Sequence, residues 1–372
     1  MNRFLFYLIL ISMMTYMVST TPRTLIEESA NGTVPSLFLA IIAGMVVTYI
    51  IISKFSHFPG QGLPEILKSY TPKWFAMPIL FIFSIVWFYV GLSTLITYTF
   101  IINRFLLPEM SIYVVVLTFV LIITYGIFMT TKSIFYMSEI IFLIVIPFIL
   151  FVQIKAYFSL HLNMDYIRIA IMQVNQLPNY KSFTTATFIA MGAANLVIFN
   201  RYFKKLKKPT RKGMSLLTLF FSYILLTTYF LPMGFGGFDS LDNALYPWIL
   251  TSDSIRMKFG LIERIVFIFI GAFLALSVVT ITMQWHISIQ LLSSVFYFKR
   301  FKWKSVNLTL PFFALCFWAF SIYRAKTVTS DALYRGVEFF DMVILPITIT
   351  LLIGSLWLAK RGAASKCPDT KK

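Results

Sequence analysis

Long apolar runs recur from one end of the chain to the other, with short polar stretches between them. Most runs reach about twenty residues, which is the length that a helix needs to cross the hydrocarbon core of a membrane. Ten such runs predict ten transmembrane helices and an all-α integral membrane protein. The helices are expected at residues 4–21, 34–53, 74–103, 111–129, 134–153, 183–200, 214–235, 261–297, 306–323 and 338–359.

The first apolar run ends in hydroxyl residues followed by Pro22. Proline lacks an N–H group and clashes with the preceding turn, so it breaks or kinks a helix. Within a membrane such a break survives only where it packs in protein or lines a cavity. The segment is either a broken helix at a binding site or the end of a first helix in an outer loop. The candidate ligand-binding residues here are Thr15, Tyr16, Ser19, Thr20 and Thr21, and Pro22 is the candidate gating residue.

The sixth run is the least apolar and carries small residues near its centre, in the stretch 190–195. Small residues let a helix unwind and offer backbone groups to a ligand. They also suit tight packing between helices, which is the preferred interpretation for this run alone. A matching break at Pro22 in the other half of the chain makes ligand binding the preferred interpretation for the pair. The candidates are Gly192, Ala193 and Asn195.

Hydroxyl side chains cluster in two further runs and could complete a polar lining around these breaks. Serine and threonine are also ordinary residues of membrane helices, so each one taken singly is a structural residue. The candidates for ligand binding are Thr94 and Tyr98 in the third run and Thr280 in the eighth.

Few ionisable residues fall inside the apolar runs. Glu139 is the one acidic residue predicted well inside a span, where carboxylates usually mark ion or proton paths. It could equally reach the membrane interface. His286 titrates near neutral pH and is a second candidate for proton coupling, with hydrogen bonding between helices as the alternative. Glu338 and Asp341 are expected to open the tenth span at its N-terminus.

The chain carries 32 Lys+Arg against 14 Asp+Glu, a net charge of +18. Most of the basic residues fall in loops on one side of the predicted topology and in the tail. Since positive residues resist translocation, this asymmetry places both termini in the cytoplasm. The excess charge then indicates contact with anionic lipid and does not require a nucleic-acid partner. The expected organisation is one ten-helix domain at 1–360 and a short basic cytoplasmic tail at 361–372.

Other function classes have no residues to support them. Cys316 and Cys367 have no metal-ligand spacing and form no CxxC motif. Hydrolase triads, phosphate-binding loops and metal motifs are not found, so we expect no enzyme activity, no cofactor and no metal site.

Four short motifs, in a fixed order, resemble a known family. They are Pro22-Arg23-Thr24 with Glu27-Glu28-Ser29-Ala30, Phe58-Pro59-Gly60 with Leu63-Pro64-Glu65-Ile66, Leu107-Pro108-Glu109, and Tyr246-Pro247-Trp248-Ile249 continuing through Ser254-Ile255 to Leu261-Ile262-Glu263-Arg264. The chain resembles the B subunits of bacterial spore germination receptors, a branch of the amino acid–polyamine–organocation transporter superfamily.

This resemblance implies two inverted five-helix repeats with helices 1 and 6 broken, at Ser19–Pro22 and Gly192–Asn195. The ligand site would lie between these breaks, with helices 3 and 8 as its walls. Glu263 and Arg264 would lie at the outer start of the eighth helix, as gating or coupling residues. The resemblance also implies a nutrient sensor in the inner membrane of the dormant endospore, in complex with a membrane A subunit and a lipoprotein C subunit.

The leading hypothesis is therefore a germinant-receptor subunit that binds a small nutrient, an amino acid, and signals through its partners. The alternative is a secondary amino-acid transporter coupled to protons through Glu139 or His286. A third hypothesis is a structural scaffold with a degenerate pocket.

Overall fold

The computed structural model describes residues 2–241, 244–256, 263–296, 302–303 and 306–366, and this part of the chain is almost entirely helical. The first eight helices are α1 (Arg3–Val18), α2 (Thr21–Glu27), α3 (Thr33–Phe55), α4 (Leu63–Tyr70), α5 (Lys73–Phe105), α6 (Ile112–Ile127), α7 (Thr131–Tyr157) and α8 (Met164–Met172). The next eight are α9 (Tyr180–Ile189), α10 (Leu196–Phe199), α11 (Arg211–Leu241), α12 (Pro247–Ser254), α13 (Ile265–Val295), α14 (Thr309–Thr327), α15 (Ser330–Phe339) and α16 (Leu345–Lys366).

Shorter elements connect these helices. The 3₁₀ segments are Ser29–Asn31, Gln173–Asn175, Ala190–Asn195 and Asn200–Tyr202, and a π-helical turn, Phe340–Ile344, joins α15 to α16. Two two-residue strands, β1 (Lys302–Trp303) and β2 (Val306–Asn307), pair antiparallel. Gly237 interrupts α11 with a φ of 65°, a left-handed value that glycine adopts without steric cost.

The predicted class of helical membrane protein is confirmed. Seven described helices are long and apolar enough to cross a membrane, and the number is eight if the bent pair α1–α2 forms one span. The other two predicted spans are helical as well. They correspond to α6, which has 16 residues, and α14, which has 19, and both fall outside that set.

The first helix lies at the centre of the bundle. Thirteen of the 16 residues of α1 are buried, and apolar residues lie on every side of the helix. A helix that is apolar all round is typical of a position surrounded by protein or lipid, and here protein surrounds it. Around it, α5 packs closely on α13. A Cβ built on Gly91 would lie only 2.4 Å from Trp285 Cδ1, so glycine is what permits this contact.

Ion pairs mark the two ends of the bundle. At one end, here called the basic end, Arg201 Nη2 lies 2.7 Å from Glu65 Oε1. At the opposite end, Arg23 Nη2 lies 3.0 Å from Asp331 Oδ1. The Arg23 guanidinium also lies 4.3 Å from the centre of the Tyr334 ring, in cation–π contact. This pairing connects α2 to α15.

Candidate ligand-binding site

The first helix is broken as the sequence predicts. The axes of α1 and α2 differ by 52°, with Ser19 and Thr20 between them. Pro22 lies in the first turn of α2, where its missing N–H group costs nothing because no partner within the helix exists there. The Ser19 hydroxyl lies 3.4 Å from the Tyr16 carbonyl, which α1 leaves free at its end. The break is therefore a change of helix direction closed by local hydrogen bonds.

The sixth helix differs from the expectation of an unwound segment. Tyr180–Tyr202 is continuous, and the stretch Ala190–Asn195 tightens to 3₁₀ geometry with all of its residues in helical conformation. The physical reason is close packing. A Cβ built on Gly192 would lie 2.8 Å from Ile9 Cα and 3.0 Å from Ile9 O, both backbone atoms of α1. Gly192 thus lets the first and sixth helices touch, which is the packing role that its sequence left open.

Asn195 connects three helices at this crossing. Its Oδ1 accepts a hydrogen bond from Trp87 Nε1 at 3.0 Å, and its Nδ2 donates to Ser12 Oγ at 3.3 Å. The Asn195 side chain is only 2% exposed, so both bonds replace hydrogen bonds to water that burial removes. Asn195 therefore positions α1, α5 and the helix of the sixth span, Tyr180–Tyr202, relative to one another.

A cavity of about 50 Å³ lies beside this crossing. Helices of the first, second, third, sixth, eighth and tenth predicted spans contribute to it. Its lining is Tyr16, Ile51, Val86, Trp87, Val90, Phe188, Met191, Gly192, Ala194, Asn195, Gln284, Phe340, Leu345, Thr348, Ile349 and Leu352. No charged side chain is among these residues. One buried water needs roughly 10–15 Å³ of such space, so the cavity has room for only a few waters.

Tyr16 and Gln284 supply polar groups to the cavity wall. The Tyr16 hydroxyl accepts a hydrogen bond from Gln284 Nε2 at 3.0 Å, which joins α1 to α13. The Tyr16 ring lies 4.5 Å from the Phe188 ring, centre to centre, and Phe188 lies 5.9 Å from Phe340. These three aromatic side chains also border a second, smaller cavity of about 10 Å³, so they separate the two spaces. The second cavity is lined by Tyr16, Ser19, Thr20, Tyr89, Val90, Ser93, Thr94, Thr97, Phe188, Val337 and Phe340.

The remaining candidate binding residues lie near the cavities without lining them. The residues in question are Thr15, Thr21, Tyr98, Ala193 and Thr280. Thr15 Oγ1 and Thr280 Oγ1 share a hydrogen bond of 2.7 Å, and Tyr98 Oη lies 3.5 Å from the Thr15 carbonyl. Thr21 is the first residue of α2, and both it and Ala193 are buried. The contacts of Thr15 thus join α1 to α5 and α13 beside the cavities.

The candidate coupling residues lie away from both cavities. Glu139 Oε1 is 3.6 Å from Arg3 Nε at the basic end, so it has a cationic partner. His286 is buried, with Nδ1 2.9 Å from the Ile127 carbonyl and its ring stacked on another aromatic side chain. Glu263 and Arg264 are exposed at the start of α13. The family motif residues Leu261 and Ile262 lie outside the described residues.

A cluster of charges closes the opposite end of the bundle. Lys181 Nζ on α9 lies 3.0 Å from Glu338 Oε1, 3.2 Å from Glu28 Oε1 and 3.5 Å from Glu27 Oε2. Burial alone would raise the pKa of Glu28, but hydrogen bonds from Asn31, Lys181 and Asn179 outweigh it and hold that pKa below its ordinary value. The cluster joins the first, sixth and tenth spans at the end of the bundle opposite the basic end.

Sequence reasoning missed several residues of the site. Trp87, Phe188 and Met191 line the main cavity, but apolar residues in apolar runs carry no signal of their own. Asp341 was expected at the start of the tenth span, where the structure does not place it. The helix begins at Ser330, capped by the Thr329 hydroxyl, and Asp341 is fully buried far inside it. The expectation that Glu139 is the one acid well inside a span is therefore wrong.

The bundle of long apolar helices, with a bent first helix that borders an internal cavity, defines a helical integral membrane protein. Comparison with known families is more specific, because the model of the spore permease family, described as spore germination protein, matches residues 2–329. The chain belongs to this family of spore germination proteins. A search of curated proteins found no match.

Proposed function

We propose that the protein is the membrane subunit of a spore germinant receptor that binds a small nutrient, an amino acid, in the central cavity. The observation that carries this proposal is the internal cavity beside the bend between α1 and α2. Family membership supports a role in germination. The signal would pass to a membrane A subunit and a lipoprotein C subunit.

The proposed topology has ten spans in two inverted five-helix repeats. The seven candidate spans, the bent pair α1–α2, α6 and α14 together coincide with the ten apolar runs of the sequence. Both termini are proposed to face the cytoplasm of the endospore, in its inner membrane, because the basic loops favour that side. Residues 1–360 would form one domain. Of the tail at 361–372, residues 361–366 continue α16, and the rest lie outside the described residues.

Ligand binding in this cavity requires a conformational change. A space that holds a few waters is too small for an amino acid, and Tyr16, Phe188 and Phe340 border it on one side. Beyond these rings, the cluster around Lys181 joins the first, sixth and tenth spans. A ligand that binds an expanded cavity shifts the population toward that state, by its difference in affinity for the two. This shift is the proposed signal to the partner subunits, and the basic loops are proposed to contact anionic lipid.

The transporter alternative receives less support from the structure. Neither Glu139 nor His286 is among the residues that line the two central cavities, and both have partners elsewhere. Reconstituted in liposomes, the chain alone is expected to show no proton-driven accumulation of amino acids. Accumulation above that of empty liposomes would favour the transporter.

The test of the proposed site is Ala194→Leu, which adds a larger side chain to the cavity wall. In spores that carry the variant, the nutrient concentration for half-maximal germination should rise at least tenfold, or the response should vanish. The matched control is Gly271→Leu, because a side chain at that position meets no atom within 4 Å. Both variants should still assemble with the partner subunits. An unchanged dose-response for Ala194→Leu would overturn the site.

A further inference from the structure

Asp341 is a carboxyl group inside the tenth predicted span. It lies in the π-helical turn Phe340–Ile344 and is only 1% exposed. Single π-helical turns within α-helices occur frequently at functional sites. The preceding residue, Phe340, borders both cavities. Asp341 therefore follows directly on an aromatic residue that borders the central cavity, and the function proposed above does not use it.

The surroundings of Asp341 leave it without a positive partner. Its Oδ1 has no hydrogen-bond partner in the part of the chain that the structure describes. The neighbouring polar group is the Thr185 hydroxyl on α9, which is buried and equally unpaired there. The titratable groups within electrostatic range of the carboxyl are Glu338 on its own helix, Tyr16 on α1 and Tyr89 on α5.

The cation on the facing helix is already paired. Lys181 lies one turn before Thr185 on α9, and its Nζ is bound to Glu338 and Glu28 at the end of the bundle. A second cation, Arg324 on α14, lies within electrostatic range of Tyr89. An ionised carboxylate at the Asp341 position would be buried without compensation, which the interior of a membrane protein does not tolerate cheaply.

A single proton on the carboxyl gives both unpaired groups, Asp341 and Thr185, a hydrogen-bond partner. A carboxylic acid has an O–H group that can donate to Thr185 Oγ1, and its second oxygen then carries no full charge. A metal cation fits less well, since hard cations such as calcium collect about six to eight oxygen ligands. The buried side-chain oxygens left unpaired here, among the described residues, are Asp341 Oδ1 and Thr185 Oγ1.

We propose that Asp341 is a proton-binding site of the closed conformation. The carboxylate takes up one proton from water and becomes a carboxylic acid that donates a hydrogen bond to Thr185 on α9. This bond fastens the sixth helix to the tenth span beside Phe188 and Phe340. Opening of the cavity separates these helices, hydrates the carboxyl and releases the proton, so that protonation opposes opening.

Infrared difference spectroscopy on the purified full-length chain in detergent tests the site without any ligand. The wild-type protein at neutral pH should show the C=O stretch of a protonated carboxylic acid, and Asp341→Asn should lack that band. The matched control is Asp331→Asn, since Asp331 lies on the same helical segment but is exposed and paired with Arg23. It should retain the band at full intensity.

A second variant protects the test against misfolding of Asp341→Asn. Thr185→Val removes the proposed acceptor, so the band should persist at a higher frequency, because the carboxyl then donates no hydrogen bond. Absence of the band in the wild type at neutral pH, or its persistence in Asp341→Asn, would overturn the proposal. Loss of the band when sodium chloride replaces choline chloride would also overturn it and assign a sodium ion to the site. These outcomes are independent of whether the nutrient site is correct.

Discussion

Gly192→Ala adds one methyl group where the first and sixth helices are closest. The new Cβ would lie 2.8 Å from Ile9 Cα and 3.0 Å from Ile9 O. Because both are backbone atoms, α1 has to move. Overpacking of this kind costs roughly 1–3 kcal/mol, whereas Gly→Ala in a helix otherwise gains roughly 0.5–1 kcal/mol. The expected net loss in the free energy of unfolding is up to about 2.5 kcal/mol.

The assay is thermal unfolding of the purified chain in detergent, with Gly271→Ala as the control. A Cβ on Gly271 meets nothing within 4 Å, so this variant receives only the gain in helix propensity. We expect Gly192→Ala to unfold at a lower temperature than the wild type, and Gly271→Ala at an equal or higher one. The difference between the two variants measures the packing cost alone, about 1–3 kcal/mol. Equal midpoints for the two would refute the close contact of α1 with the 3₁₀ segment.

Three further variants probe the polar contacts around the cavities, each by unfolding of the purified chain. Tyr16→Phe leaves the buried Gln284 amide without its acceptor at 3.0 Å, which should cost roughly 1–3 kcal/mol, and adding Gln284→Leu should recover part of the loss. Thr15→Val removes the 2.7 Å hydrogen bond to Thr280 and should cost roughly 0.5–1.5 kcal/mol, with no further cost on adding Thr280→Val. The lowered pKa of Glu28 means that its carboxylate contributes stability above pH 4.5, which is lost as the pH falls below that value. Glu28→Gln should therefore lose less stability than the wild type on acidification, and an identical pH profile would contradict the ion cluster.

The helices could be predicted from the sequence because apolar runs of membrane length have few alternatives. The bend at Pro22 was predictable for a similar reason, since proline cannot continue the hydrogen-bonding of the preceding turn. The start of the tenth span was not placed correctly. Apolar residues begin after Glu338, but the helix starts at Ser330, directly after Thr329, whose hydroxyl accepts a hydrogen bond from the Ala332 N–H group. A threonine followed by Ser330 and Asp331 is a helix N-terminal signal that hydropathy alone does not include.

The site was predicted less completely, because a small residue has two physical uses. Glycine at position 192 suits an unwound backbone and a tight helix crossing equally, and only the position of Ile9 across the interface decides between them. Long-range partners such as Trp87 for Asn195 depend on which helices are neighbours. Hydropathy does not contain that information. Tyr16 was found because it precedes a proline break, which is a local feature.

The sixth helix is at once the least apolar of the candidate spans and the one most enclosed by other helices. Transfer into lipid alone is therefore less favourable for this helix than for the other spans during biosynthesis. In a translocation assay, an isolated segment 180–202 should insert less efficiently than an isolated segment 73–105. The helix that touches α1 most closely would then insert into the bilayer only by packing against helices that have inserted before it.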